Sequence, residues 1–405
     1  MSDIEHIART YGASSALMVA CLRHRFSDVK LPDAECRALA SLTSPDIFSS
    51  DFEAHQFAPA ALFHPAITSS VPPVWLKQFQ RLHQGIATRT LAGIVEIQSL
   101  NDALEKAGFD VRFWKGPLLS YLLYGNLTTR PTRDFDIMVR PDELIPIRHL
   151  LLSLGYADEQ PLRASVIPVY LRTHREWVMH RRAENGLKYY VELQLAPAMP
   201  WSISKQTAAM AFSSRNLVAL GSSRIPVPDL ETHWLMLAAH HGYSEGWRQL
   251  SQVSDMAAFA SLPEGRVDAD RLLCLSELFG LKRVITIGLG LAQELTGVNV
   301  PSNFIPLVQQ EQQMIQRLTA RLLSYPMPSK SEESLDAMRL QWAMAENIPA
   351  RVRLLSGHLR KWLLPGYFEL ANIRLSSPFG FLYTPLKLAR PLIRRFFAPP
   401  HPGGS

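Results

Sequence analysis

Cysteine is scarce in this chain of 405 residues: Cys21, Cys36 and Cys274 are the only three, far apart and in no CxxC spacing. That usage excludes a disulfide framework or a zinc ribbon and fits a reducing compartment. Long apolar runs are lacking too. No uncharged apolar run approaches the roughly 18 residues that a membrane-spanning helix needs. The N-terminal MSDIEHIART has neither the charge order nor the apolar centre of a secretion signal. A cytoplasmic location is the expectation. Internal repeats, long low-complexity tracts, a GxxxxGK[ST] loop and a nucleophile elbow are absent as well. An acidic excess is also missing, since 42 Lys and Arg outnumber 36 Asp and Glu to give a net charge of +6. This balance favours acidic partners such as nucleotides, nucleic acid or an anionic membrane surface, without choosing among them. What is present is a globular composition, 47% hydrophobic and 19% charged, on a chain long enough for two or more packed units.

The chain divides by pattern. Residues 1–74 read as a helical extension: Ala16–Cys21 is apolar, Arg23-His24-Arg25 follows, and a loop-like stretch with Pro32, Pro45, Pro59 and Pro65 leads to Pro72-Pro73. From Trp75 to Ala107 the apolar residues recur at helical spacing, with Gly108 ending the run, and Asp110–Trp114 reads as a short strand. Lys115-Gly116-Pro117 is a helix start with Pro117 at its first position; Leu118, Tyr121 and Leu122 share a face and Gly125 stands where a left-handed cap is wanted. Pro141-Asp142 opens a helix with Leu144, Ile147, Leu151 and Leu154 on one face and Gly155 closing it. Asn185-Gly186 is the preferred two-residue turn between strands Glu176–Arg182 and Lys188–Leu195. Pro226 to Leu230 marks a boundary with Asp229 as an N-cap, and helical spacing resumes over Glu231–Ala260. The organisation read from this is an extension (1–74), a mixed core (75–200), a helical domain (201–325), and a linker with a basic, aromatic segment (326–405).

The chemistry concentrates in Trp114–Arg140. In Asp134-Phe135-Asp136-Ile137-Met138-Val139, apolar Phe135, Ile137 and Val139 alternate with Asp134, Asp136 and Met138, so one strand face carries two carboxylates. Like charges held that close repel and need a partner, typically a divalent cation on oxygen ligands such as Mg²⁺, which also binds phosphates. Arg130 and Arg133 precede the strand and suit phosphate charge; Lys115 suits a phosphate contact. Glu192, flanked by apolar residues in Val-Glu-Leu, is a second-strand carboxylate that wants an explanation. His240 and His241 lack partners at ligand spacing and read as helix-packing residues. Gly288-Leu289-Gly290 lies inside an apolar helical window and reads as packing, not a dinucleotide loop. Between Arg351 and Phe397 nine Lys or Arg residues and one acid, Glu369, are interleaved with aromatics, the mixture an anionic surface would select.

The pattern K-G-x-x-L…Y-G…R-P-x-R-D-F-D-I-M-V, at Lys115 to Val139, resembles the uncharacterised nucleotidyltransferase family of the polymerase-beta-like superfamily. The resemblance implies an α+β fold: a small mixed sheet with flanking helices as the nucleotidyltransferase core, plus a mainly helical remainder. It implies Asp134 and Asp136 as metal ligands, Lys115 and Gly116 beside the nucleotide phosphates, and Glu192 as the third carboxylate. The family's V-E-L-H becomes Val-Glu-Leu-Gln here, so Gln194 is not carried over. A further family pattern, H…W-x-x-L…D, is met by His240 or His241, Trp247, Leu250 and Asp255. Lys-Gly stands where better-known members have Gly-Ser, and the path to the DxD is longer. The implied reaction moves a nucleoside monophosphate from an NTP, with two Mg²⁺ ions, to a hydroxyl or phosphate of an unidentified acceptor (a small molecule, peptide, polysaccharide precursor or RNA), as in a bacterial biosynthetic pathway. Two alternatives stay open: an inactive relative that binds nucleotide or a partner, and an adaptor for an anionic surface through Arg351–Phe397.

Overall fold

The computed structural model describes residues 3–27, 32–55, 68–69, 71–132, 134–183, 186–324, 330–373, 383–385, 387 and 389. Alternating sequence after Gly108 builds strands β1 (Arg112–Phe113), β2 (Asp134–Met138), β3 (Ala157–Asp158), β4 (Glu176–Arg182) and β5 (Lys188–Gln194), joined in the order β1-β2-β5-β4-β3. Only β2 and β5 run parallel, so the sheet is small and mixed. Parallel neighbours need a crossover. Its first helix, Leu144–Ser153, buries Leu144, Ile147 and Leu151. The β4–β5 hairpin pairs Arg182 with Lys188, and Gly186 takes φ +79 in the turn; Asn185 lies outside the described residues. With Phe135, Ile137, Val191 and Leu193 turned into one apolar core, the pleat sends Asp134, Asp136 and Glu192 to the opposite face.

That opposite face meets a second, larger core. Trp114, on the way out of β1, and Met138, at the end of β2, belong to it together with the helices Leu230–Ala239, Leu250–Ala260 and Lys282–Thr296. The N-terminal helix Ala13–Phe26 is buried throughout Leu17–Leu22 in the same core. The architecture is α+β, with a small mixed sheet and a mainly helical remainder. No described helix is long and apolar enough to cross a membrane.

Several local readings change. Pro32 and Pro45 stand at the starts of helices, before Asp33–Ser41 and within Pro45–Ala54, where a missing N–H costs nothing. Strands β6 (Asn216–Leu220) and β7 (Ser223–Val227) form a separate two-stranded ribbon that the sequence pattern does not announce. Its Pro226 is tolerated because a ribbon has open edges. A helix, Lys330–Met344, already begins inside the stretch read as a linker. Residues 391–405 and much of 374–390 lie outside the described part, and with them most of the basic run beyond Asn372.

Candidate active site

The site begins with the register between β2 and β5. Parallel pairing places Asp136 beside Glu192, with Asp134 one pleat away on the same face. Gln194, fully buried, ties the carboxylates together: its Nε2 donates to Asp136 Oδ1 at 2.6 Å and to Glu192 Oε2 at 2.8 Å. Its Oε1 accepts from Trp114 Nε1 at 3.1 Å, which fixes the orientation of the amide. Sequence reasoning passes over Gln194. The signal is its place two residues beyond Glu192, on the same strand face.

The helix Gly116–Tyr124 starts against β2. Gly116 holds φ +59, and a Cβ there would lie 3.2 Å from Thr132 Cγ2, so the absence of a side chain lets the helix start approach the strand entry. Just before it, Lys115 Nζ donates to Asp136 Oδ1 at 3.0 Å and to His240 Nε2 at 3.2 Å. Arg130 is committed elsewhere. Its guanidinium forks onto Asp255, with Nε 3.0 Å from Oδ1 and Nη2 3.2 Å from Oδ2. Arg130 still lines the cleft, but the fork leaves it as a charge that positions the loop before β2 more than a free phosphate ligand. Arg133 lies outside the described residues.

The expectation that His240 and His241 only pack a helix is corrected. The helix Leu230–Ala239 widens into a π-helical turn, His240–Glu245, and such turns are frequent at functional sites. It closes on Trp247, fully buried at φ +50, whose N–H donates to His241 O at 2.9 Å. The wide turn aims His240, His241 and Glu245 into the cleft that also holds Lys115, Asp134 and Asp136, a space of about 760 Å³. Asp255, buried, accepts from His241 Nε2 at 3.1 Å as well as from Arg130.

Three carboxylates on one face, with Lys115 as the ammonium in contact, leave a negative excess. Burial pushes the Glu192 carboxyl up to about 9, helped by the charge of Asp136. The same two causes take Asp134 to about 6. Burial also works against the charge of Asp136, yet Lys115 holds it below the ordinary carboxylate range. Such a donor set of hard oxygens, short of positive charge, fits a divalent cation. His240 is neutral: burial, then the neighbouring Lys115, brings it down to about 3.

These shifts set the sign of the pH dependence. A carboxyl whose folded pKa is raised stabilises the fold while protonated, and that contribution fades as pH rises through the folded pKa. For Glu192 the window runs from the ordinary 4.5 to about 9. Calorimetric melting of the metal-free chain is therefore expected to show Tm falling from pH 5 to pH 9, and added Mg²⁺ or Mn²⁺ to raise Tm more at the higher pH. A Tm independent of both would argue against a shared carboxylate cluster.

The model of the family described as Uncharacterised nucleotidyltransferase matches residues 53–297, a span that includes every side chain of this site. Among solved structures, the chain is similar to an antigenic nucleotidyltransferase-like protein from Paracoccidioides brasiliensis. The identity is 13% and the TM-score 0.32, over 56% of this chain and 93% of that one. No curated protein matches the chain.

Proposed function

Since the chain belongs to the uncharacterised nucleotidyltransferase family, we propose that it moves a nucleoside monophosphate from an NTP to a hydroxyl or phosphate of an acceptor, in a reaction that depends on Mg²⁺. Nucleotidyl transfer in general comes with the family. The metal, the residues and the acceptor class are our reading. The observation that carries it is the shared face of Asp134, Asp136 and Glu192, of which Asp134 and Asp136 line an open cleft together with Lys115 at the start of a helix.

Asp134, Asp136 and Glu192 would hold the metal. Bound there, Mg²⁺ would neutralise triphosphate charge and acidify the acceptor hydroxyl. The protein's own groups divide the remaining work. Lys115 has three donors, two of them engaged with Asp136 and His240, which leaves one for a phosphate oxygen. Gly116 keeps the first turn of its helix free of side-chain bulk, where backbone N–H groups favour anions. Glu192, protonated in the metal-free cluster, would give up that proton on binding the cation and complete the carboxylate set. Gln194 holds Glu192 and Asp136 at a fixed separation. Arg130, gripped by Asp255, sets the approach to β2; Arg133 is assigned to phosphate charge on its sequence position alone.

The test is calorimetric titration of NTPs into the protein with and without Mg²⁺, followed by incubation with α-labelled NTP to detect labelled product. Binding that requires Mg²⁺ is the expected result. No NTP binding under either condition would sink the transferase reading.

A second observation bears on where the acceptor is met. Along the helix Ile348–Leu363, the apolar residues Ile348, Val352, Leu355, Leu359 and Trp362 are all exposed, at 57% or more. They recur at i, i+4, i+7, i+11 and i+14, one stripe of a helix that also carries Arg351, Arg353, Arg360 and Lys361. An apolar stripe flanked by Arg351, with Arg353, Arg360 and Lys361 on the polar face behind it, suits the surface of an anionic membrane. Co-sedimentation is expected with vesicles containing phosphatidylglycerol, to weaken with salt, and to be lost in Leu355→Glu/Leu359→Glu. Equal binding to neutral phosphatidylcholine vesicles, or none to either, would remove the membrane from the proposal.

A further inference from the structure

We propose that His240 Nε2, His241 Nδ1 and a Glu245 carboxylate oxygen form a second cation site in the cleft, built for a divalent transition metal of the zinc or cobalt class. The three ligand atoms lie within 4.8 Å of one another. Glu245 Oε1 is 3.2 Å from His240 Nε2, and Glu245 Oε2 is 3.8 Å from His241 Nδ1. Metal bonds of about 2.0–2.2 Å at tetrahedral angles place neighbouring ligand atoms roughly 3.2–3.5 Å apart. One observed spacing matches that range and the others reach at most 4.8 Å, so the side chains must draw together to close the set.

The positions of the ring protons decide which nitrogens can bind. His240 Nδ1 lies 3.2 Å from the carbonyl oxygen of Pro197, an acceptor only, so this nitrogen carries the proton. Its Nε2 faces the Lys115 ammonium at 3.2 Å, a donor only, and must present a lone pair. His241 Nε2 faces Asp255 Oδ2 at 3.1 Å and carries its own proton there. His241 Nδ1 is buried and makes no hydrogen bond. Burial opposes a charge on this ring, yet Asp255 and Glu245 on its two sides raise its proton affinity overall, so a cation at Nδ1 would displace a proton that faces Glu245. Two imidazole nitrogens and a carboxylate thus lie together, and the outer nitrogens are held by a carbonyl and a carboxylate. Metal-binding histidines are oriented by just such outer partners. Gln252 Nε2 donates to Glu245 Oε2 and steadies the third ligand.

The ligand type separates this site from the neighbouring one. Imidazole nitrogens favour zinc, cobalt and similar ions, whereas the all-carboxylate face of β2 and β5 favours magnesium. Lys115 stands between the two sites and touches both, through Asp136 and His240. A metal at the histidines would take over His240 Nε2 and release one Lys115 donor toward the cleft.

The test reads metal binding and so does not depend on nucleotidyl transfer. Co²⁺ is titrated into the metal-free full-length protein while its visible absorption is followed. One equivalent with the strong bands of a four- or five-coordinate nitrogen-ligated site is expected, both in the wild type and in Asp134→Asn/Asp136→Asn. Glu245→Gln, nearly the same shape, and His241→Ala are each expected to weaken binding by at least ~10-fold. In parallel, Zn²⁺ is expected to shift the His240 and His241 ring-nitrogen resonances of the wild type, a readout that survives if a variant fails to fold. Only the weak spectrum of hydrated cobalt, or unmoved ring resonances, would overturn the proposal. So would cobalt bands that vanish in the aspartate variant and persist in Glu245→Gln, since the ion would then sit on the strand carboxylates alone.

Discussion

Asp136→Asn is expected to lower nucleotidyl transfer by at least ~10³-fold while leaving the protein folded. Asp136 is the most connected group of the site, receiving Lys115 at 3.0 Å and Gln194 at 2.6 Å beside Glu192. Asparagine keeps the shape and one acceptor oxygen, so both hydrogen bonds can persist. What goes is the charge that would hold a cation against the triphosphate. Electrostatic stabilisation of that kind is worth several kcal/mol, and about 4 kcal/mol is a thousandfold in rate. The change relieves repulsion with Asp134 and Glu192 but leaves Lys115 without its ion-pair partner, so a modest fall in Tm short of unfolding is expected. A thermal melt and a labelled-nucleotide assay on the same sample decide it. Unaltered Mg²⁺-dependent NTP binding in the variant would move the weight to a protein that uses the cleft for something other than transfer.

Gly242→Ala is expected to destabilise the chain by about 1–3 kcal/mol, a Tm loss of several degrees, and to displace the histidine turn. Gly242 sits inside the π-helical turn, where a Cβ would lie 2.2 Å from Val284 Cγ2, 3.2 Å from Trp247 Nε1 and 3.4 Å from Met344 Sδ. Val284 is fully buried and β-branched, so it has little freedom to yield. The turn must lift off the Lys282–Thr296 helix, carrying His240, His241 and Glu245 with it. Gly85→Ala is the control. Gly85 lies in the helix Pro73–Lys106, where an added Cβ would meet nothing within 4 Å, and alanine there should stabilise by up to ~1 kcal/mol through helix propensity alone. If Gly242→Ala melts with the wild type, the turn is not clamped as described.

Much of this geometry is legible from short-range pattern. Alternation along Asp134–Val139 settles which side chains share a face, and Glu192 follows from the same rule on the second strand. Asp229 caps its helix as its position suggests, accepting from Thr232 N at 2.8 Å. What escapes is set by tertiary structure. Neighbouring histidines on a regular helix diverge, so the pair reads as packing; only the wide turn brings His240 and Glu245, five residues apart, to 3.2 Å. The partner of Arg130 is Asp255, 125 positions away, and no local spacing announces such a pair. The ribbon β6–β7 hides behind Pro226, which signals a break in most strands.

The seam between the two cores has a mechanical meaning. The carboxylates ride on the sheet and the histidines on the helical assembly, with Lys115 and the Arg130–Asp255 fork stitched across. The cleft thus behaves as a caliper whose jaws belong to separately packed bodies, and its gap is set by how those bodies seat. Because a displacement of ~1 Å can cost a hundredfold in rate, substitutions far from the cleft but on that seam would slow the enzyme without unfolding it. Turnover, more than melting temperature, would then be the sensitive gauge of how well the two cores are docked.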